Sequence, residues 1–306
     1  MYKSALFILL AAATLTPWIT PTQALTAGIT FSLLLTNPHP TQSTLLSKKL
    51  LQLSVIGLGF GLTITQVWHA GRSGLLYTII GITLTLLLGY LLGRLLKIRS
   101  GTAHLISFGT AICGGSAIAA MAPVIEADDD EIAVSLATVF TLNAVALLLF
   151  PHIGHFFDLD HRQFGLWAAL AIHDTSSVVG AGAVYGASAL AIATTVKLAR
   201  AAWIAPVTLI TGYLRRSRHG VTIPWFILGF LVAAALRTWI PQADALWDGL
   251  YAAARRLLVL TLFLIGAGLS RKVLREVGMR SLLHGVTLWL VVGGLTLLAI
   301  LAGWIR

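Results

Sequence analysis

Apolar residues occur along the chain in long blocks that are separated by short polar or basic segments. Helices of about 17 to 25 apolar residues match the hydrocarbon core of a bilayer, which is about 30 Å thick. The pattern predicts eleven transmembrane helices, the first two short, at 3–18, 24–37, 49–68, 74–94, 102–124, 131–150, 164–186, 188–213, 221–240, 246–269 and 281–304. We therefore expect an all-α, polytopic membrane protein.

The first apolar block has two interpretations. Lys3, the apolar run and the small residue Ala24 are also typical of a cleaved signal peptide. Pro17 and Pro21, followed at once by another apolar block, favour a retained helical hairpin instead. We expect one membrane domain over 1–306, with repeats at about 24–150 and 164–304 and an extra helix at 3–18.

Composition supports the membrane assignment. Hydrophobic residues make up 57% of the 306 residues and charged residues only 10%, whereas soluble domains contain about 25% charged residues. The mean hydropathy is +0.88. The single cysteine, Cys113, excludes an internal disulfide and a multi-cysteine metal site. No nucleophile elbow, paired metal-ligand motif or nucleotide-binding loop is present, so we do not expect an enzyme.

Basic residues predict the orientation. The net charge of +10 would suggest a nucleic-acid partner in a soluble protein, but most Lys and Arg residues lie in the even-numbered connections between the predicted spans. The positive-inside rule then places these loops and the N-terminus in the cytoplasm and the C-terminus outside, in the cell (inner) membrane. We expect no nucleic-acid partner. The acidic run from Glu126 to Glu131 falls in an odd-numbered loop and is expected to cap the sixth span.

The stretch Gly109–Ala120 lies in an apolar block but contains three glycines and no large polar side chain. A helix that is interrupted inside the bilayer exposes N–H and C=O groups, which are tolerated only where protein, water or a ligand satisfies them. Half-helix N-termini also attract anions. We predict a discontinuous helix here and a substrate site formed by Gly109, Thr110, Cys113, Gly114, Gly115 and Ser116.

Ionisable residues inside apolar blocks are a second signal of function, because they are costly in a bilayer. Lys197 and Arg200 are three residues apart and share a helix face, whereas the anionic candidate is Asp174. The excess of cations favours a small oxyanion, which arginine binds through two parallel hydrogen bonds. The alternative is that both cations bond backbone carbonyls at a helix break. His173 is a candidate proton relay, and Asn143 is a candidate for substrate contact or for an interhelical hydrogen bond.

A second broken helix has two candidate positions. Arg255, Arg256, Gly266 and Gly268 in the tenth span would pair with the fifth span in an inverted repeat of five helices. The competing candidate is Thr175–Gly182 in the seventh span, which resembles the Gly109 stretch. Each of these two stretches is followed by a helix with a Thr-Val pair, at Thr138 and at Thr195.

The run Phe108–Ala120, followed by Pro123-Val124-Ile125, resembles the signature of the YeiH-type conserved hypothetical membrane proteins, a family also named for sulfate export. Gly165–Thr175 and Val196–Arg200 agree with it. The resemblance implies a secondary transporter related to the cation/proton antiporter and anion transporter superfamily. That superfamily has inverted five-helix repeats, crossed discontinuous helices and a separate panel or dimerisation domain, so a homodimer is expected.

The expected function is export of sulfate, sulfite or an organosulfonate by alternating access, coupled to protons through His173 and Asp174. The expected partners are the small anion and the lipid bilayer, with no cofactor besides the coupling ion. A sodium-coupled carrier of a small organic anion and a channel-like protein are the alternatives, since Thr110 and Ser116 could hold Na⁺ with unwound carbonyls.

Overall fold

The computed structural model describes residues 2–35, 37–215, 225–268 and 278–305, without the side chains of 69–76. These residues form helices and connecting turns, with no strand among them. The chain divides into two compact units. Unit 1 contains Met1–Trp68 and Trp225–Val273, and unit 2 contains His69–Pro224 and Leu274–Arg306.

Five of the described helical segments are long and apolar enough to cross a bilayer, at Tyr77–Leu95, Asp129–Phe156, Ala187–Arg215, Pro241–Gly268 and Met279–Leu301. The helices are α1 Tyr2–Ala13, α2 Pro21–Leu35, α3 Pro40–Gly59, α4 Ile64–Leu95, α5 Ser100–Ala111, α6 Gly115–Met121, α7 Asp129–Phe156, α8 His161–Ala171, α9 Thr175–Tyr185, α10 Ala187–Ala201, α11 Ile204–Arg215, α12 Trp225–Trp239, the 3-10 helix Pro241–Ala243, α13 Asp244–Gly268 and α14 Met279–Leu301. The prediction of a helical, multi-pass membrane protein is confirmed at this level.

Unit 1 is organised around α13, which packs along α2 and α3, while α12 packs on α3. Its buried centre includes the rings of Phe7, Phe31 and Phe263, with centroids 5.3 to 5.4 Å apart for the contacts made by Phe7. The predicted loop at Lys48 is instead the middle of α3. The predicted boundary between two spans at Lys48 was wrong. Lys48 and Lys49 are exposed residues of the continuous helix α3, whose other face is buried.

Two glycines let α2 and α13 approach each other closely. A Cβ at Gly28 would lie 2.1 Å from the carbonyl oxygen of Phe263, and one at Gly266 would lie 2.5 Å from that of Leu25. Small residues at helix crossings are typical of membrane proteins, where close backbone contact provides the van der Waals attraction. Gly266 therefore serves a helix contact inside a continuous helix.

Substituting Gly28→Ala is expected to lower the free energy of unfolding by about 1 to 3 kcal/mol, because the new methyl group would force the two backbones apart. Gly249 on α13 has open space around it, so Gly249→Ala should be neutral or stabilising by up to about 1 kcal/mol through helix propensity. Unfolding followed by circular dichroism in mixed detergent micelles measures both. Equal stability of the two variants would contradict the close crossing.

In unit 2, α5 and α6 form a re-entrant hairpin. Arg99, which precedes α5, pairs with Asp128 and Glu131, which follow α6; its Nε lies 3.6 Å from the Glu131 carboxylate. The Ser135 hydroxyl on α7 donates to the Thr102 carbonyl of α5 at 3.3 Å. The chain therefore enters through α5, turns and returns to the same end of the unit, which we name the α5 end.

A second hairpin, α8 and α9, enters from the opposite end. The Tyr185 hydroxyl at the end of α9 donates to the carbonyl of Leu159, which precedes α8. The Tyr185 ring also stacks on Phe164, with centroids 3.7 Å apart. Because α7 starts beside the first hairpin and ends at Phe156, next to the second, the two hairpins begin at opposite ends of unit 2. We name the second the α8 end.

The remaining helices of unit 2 surround these hairpins. α10 packs along both α8 and α9, and α14 lies beside α7, with Gly285 against Thr138 and Gly293 near Phe150. The predicted spans 102–124 and 164–186 thus fold back instead of crossing. Hydropathy does not separate the two cases, because two apolar half-helices have the same composition as one full span.

The acidic run caps α7, as predicted. The Asp128 carboxylate accepts the Glu131 N–H at 2.8 Å and the Glu131 carboxylate accepts the Asp128 N–H, which is a capping box. The acidic run lies at the α5 end together with Arg99. The prediction that the acidic run and this basic loop lie on opposite sides of the membrane was therefore wrong. The Glu131 N–H and the Arg99 guanidinium both lower the pKa of Asp128 below its usual value.

The lowered pKa predicts a pH dependence for the start of α7. A carboxylate whose folded pKa is depressed stabilises the fold above its ordinary value of 3.8, and this contribution is lost as the pH falls through the lower folded pKa. We expect the first turn of α7 to exchange its amide hydrogens severalfold faster in Asp128→Ala at neutral pH. Wild type should approach the variant only at acidic pH; the same difference at all pH values would contradict the cap.

Candidate functional site at the hairpin tips

The tips of the two hairpins meet inside unit 2. α5 and α8 are about 18 and 16 Å long, from their 12 and 11 residues, so each reaches about half of the hydrocarbon thickness. At the first tip, Gly114 has φ +67°, and a Cβ there would lie 3.0 Å from the Asp174 Cβ in the second tip. Glycine is required at this position by its conformation and by the close contact.

Lys197 on α10 is fully buried and bonds backbone carbonyls of the second hairpin. Its ammonium donates to the Ile172 carbonyl at 2.7 Å and to the Ala169 carbonyl at 3.4 Å. These groups lie where α8 ends, so the lysine satisfies carbonyls that the break leaves without helical partners.

Arg200 connects the two hairpins. Its Nε donates to the Ala111 carbonyl at the end of α5, at 2.7 Å, and its Nη1 donates to the Leu170 carbonyl near the end of α8. The side chain is 1% exposed. One guanidinium therefore joins the inner ends of α5 and α8. The observed contacts of Lys197 and Arg200 are those of the structural alternative, in which both cations bond backbone carbonyls at a helix break.

Asp174 is the N-cap of α9. Its carboxylate accepts the Ser176 N–H at 3.0 Å and also contacts the Ser176 hydroxyl, while its own N–H donates to the Asn143 carboxamide at 3.1 Å. This helix start was not predicted, although an aspartate before a Thr-Ser-Ser run is a recognisable N-cap signal. An internal carboxylate thus occupies the positive end of the half-helix α9.

Several buried polar atoms around the tips have no hydrogen-bond partner among the residues that the structure describes. They are the Thr110 hydroxyl, the Asn143 Nδ2, both ring nitrogens of His173, the Thr175 hydroxyl and the Arg200 Nη2. Buried polar groups are almost always hydrogen-bonded, so such a group of exceptions indicates a place for water or a polar ligand. The atoms come from α5, α7, α10 and the second tip, which together surround the contact between Gly114 and Asp174.

The structure brings most of the predicted site residues together. Gly109 packs against Ile118 of the returning helix, Cys113 is buried in the first tip, and Gly115 begins α6. Ser116, by contrast, is exposed. The carbonyl groups bound by Lys197 and Arg200 were not predicted, since their role depends on backbone position and not on residue type.

The candidate second break in the tenth span differs from the structure. α13 is a continuous helix from Asp244 to Gly268 in unit 1, so Arg255, Arg256, Gly266 and Gly268 lie in regular helix. The predicted glycine-rich tract continues to Leu269 and Ser270, which fall outside the described residues. The Arg255 guanidinium lies 5.9 Å from the centroid of the Tyr251 ring, and Arg256 donates to the Thr16 carbonyl at 3.1 Å. The helix break that contacts the Gly109 stretch is the other candidate, which lies next to Thr175.

Comparisons with known proteins agree over nearly the whole chain. The family model Conserved hypothetical protein 698 matches residues 4–285. UPF0324 membrane protein GSU2818 of Geobacter sulfurreducens is 55% identical over 97% of this chain and 96% of its own length. UPF0324 membrane protein Bd1437 of Bdellovibrio bacteriovorus is 52% identical over 95% and 91%, and a UPF0324 membrane protein of Bacteroides thetaiotaomicron is 49% identical over 92% and 86%. No solved structure matches.

Proposed function

The chain belongs to the Conserved hypothetical protein 698 (YeiH) family of membrane proteins, and from this premise and its hairpin site we propose that it is a secondary transporter of a small oxyanion. The observation that carries the proposal is the contact of two re-entrant hairpin tips, at Gly114 and Asp174, among buried cations and unpartnered polar atoms. Irregular backbone at membrane depth is characteristic of transport pathways.

Charge supports an anionic substrate. Each half-helix end carries about half an elementary charge, positive at the N-terminus and negative at the C-terminus. The two C-terminal ends balance the two N-terminal ends, and Asp174 balances one of the two cations, Lys197 and Arg200. About one positive charge then remains at the tips. The Nη2 of Arg200, which no described residue accepts from, is a donor suited to an oxyanion such as sulfate, sulfite or a sulfonate.

The position of Asp174 supports proton coupling. Its carboxylate caps α9 through the Ser176 N–H, which is the kind of donor that an oxyanion also binds. Protonation would remove this internal negative charge, which otherwise repels an anionic substrate at the tips. His173, whose ring nitrogens both lack a partner in the described part of the chain, lies next in the chain and is the proposed proton relay. Substrate and proton would therefore bind together and move by alternating access.

The sodium-coupled alternative fits less well. Sodium sites at broken helices use free carbonyl oxygens, and here the carbonyls of Ala111, Leu170 and Ile172 already accept bonds from cationic side chains.

Flux measurements in proteoliposomes test the proposal. We expect uptake of labelled sulfate, sulfite or taurine to respond to an imposed pH gradient and not to a sodium gradient. Lys197→Met should abolish the flux, whereas Lys48→Met, on an exposed face of α3, should not. Flux that follows sodium alone, or that continues unchanged in Lys197→Met, would overturn the proposal. A thermal-shift screen with these anions measures binding independently, because a ligand of the native state stabilises it.

The distribution of charge suggests the orientation. Arg94, Lys97 and Arg99 lie at or near the α5 end, whereas Arg162 begins the second hairpin at the α8 end. By the positive-inside rule we propose that the α5 end faces the cytoplasm. The C-terminus, which follows α14, would then lie outside. Export is the proposed direction for a dianion such as sulfate, because the inside-negative membrane potential drives its remaining negative charge outward even when one proton moves with it. A homodimer is the proposed assembly.

A further inference from the structure

A cavity of about 290 Å³ lies between α4 and α5, in the first turns of α5. Apolar side chains form part of its wall, and the polar groups come from Tyr90, Arg94, Ser100, His104 and Ser107. None of the described residues that line it is a carboxylate. These residues differ from those of the hairpin tips, and Arg94 gives the wall a positive charge.

Arg94 supplies a cation that no carboxylate among the described residues neutralises. Its guanidinium lies 4.6 Å from the centroid of the Tyr90 ring, and it forms no ion pair within the part of the chain that the structure describes. Arg99, five residues further on, is instead held by Asp128 and Glu131. The donors of Arg94 thus remain available for an anion from outside the protein, beside the half-buried His104.

The surface of α4 that leads to this cavity is apolar. Leu84, Leu87 and Leu91 are 54 to 55% exposed and follow one another at helical spacing, which places them on one face. Arg94 continues the same face at the end of the helix. A membrane lipid whose chains lie on the leucines would bring its headgroup to the arginine.

We propose that this cavity binds the headgroup phosphate of an anionic phospholipid. Arginine donates parallel hydrogen bonds to phosphate oxygens, and Ser100 and His104 provide further donors in the same wall. Basic pockets between transmembrane helices are known places for anionic headgroups. The apolar face of α4 favours a lipid over a free phosphate, because a soluble phosphate would make no use of it.

Native mass spectrometry of the full chain in detergent tests this site by titration with phosphatidylglycerol, phosphatidylcholine and glycerol phosphate. We expect phosphatidylglycerol to bind most tightly, and Arg94→Gln to weaken it about tenfold, the loss of one charge-assisted hydrogen bond. Arg162→Gln is the matched control, since Arg162 is also exposed but starts α8. The control should bind as wild type does.

Three results would overturn the site: equal binding of phosphatidylglycerol and phosphatidylcholine, equal affinity in Arg94→Gln and wild type, or glycerol phosphate binding as tightly as the lipid. The last would identify a soluble phosphate as the ligand. Arg94 is exposed, so its substitution should leave the fold intact, which circular dichroism checks. Anion flux through the hairpin tips is a separate measurement, and neither result depends on the other.

Discussion

Replacing Arg200 with alanine is expected to cause a loss of stability of about 3 to 5 kcal/mol, because two buried carbonyls would lose their charged donor at once. Those carbonyls belong to Ala111 and Leu170, one in each hairpin. The substitution therefore leaves unpaired backbone groups inside both entering helices and also removes the link between them. Unfolding in mixed micelles, followed by circular dichroism, measures the change.

Two further variants make this prediction specific. Arg200→Lys keeps the charge but not the planar, forked donor, so its stability should lie between wild type and alanine. Arg255→Ala removes an exposed arginine in unit 1 and should change stability by no more than about 0.5 kcal/mol. If Arg200→Ala were as stable as Arg255→Ala, the hydrogen bonds from Arg200 to the two hairpins would not contribute to the stability of the fold.

Asp174→Asn is expected to abolish the dependence of anion binding on pH while preserving binding itself. Asparagine caps a helix about as well as aspartate but cannot bind or release a proton. In the wild type, where Asp174 is ionised, affinity should rise about tenfold for each unit of decreasing pH if one proton binds with the anion. The variant should bind as the protonated wild type does, and its flux should no longer follow a pH gradient.

The matched control is Asp160→Asn. Asp160 caps α8 by the same chemistry, accepting the Gln163 N–H at 2.8 Å, but it is exposed at the α8 end. Isothermal titration across pH 5 to 8 (about three decades of proton activity) compares the two variants with wild type. A steep pH dependence that persists in Asp174→Asn would exclude this carboxylate as the coupling group.

The first hairpin was partly predictable. Three glycines among small residues marked the break, and the structure places it at Ile112–Gly114. Its direction was not predictable, because α5 and α6 together are as long and as apolar as one crossing helix. What shows the return is the pairing of Arg99 with Asp128, a contact between residues that the predicted span places on opposite sides of the membrane.

The second tip was harder to predict for a different reason. Ile172-His173-Asp174 contains no glycine, and its broken ends are satisfied by Lys197 and Arg200, which follow more than twenty residues later. Sequence indicated that these cations were important through their cost in a bilayer. It did not indicate which groups they bond, because any residue supplies a carbonyl.

Cysteine labelling of the membrane-embedded protein tests the account most directly. In a Cys113→Ala background, single cysteines replace Lys97, Glu126, Asp158 or Ser188, which are exposed at the ends of the two hairpins. A membrane-impermeant maleimide is then applied to either side of oriented vesicles. We predict that positions 97 and 126 react from one side and positions 158 and 188 from the other. Reaction of positions 97 and 126 from opposite sides would contradict the re-entrant hairpins, and with them the proposed site.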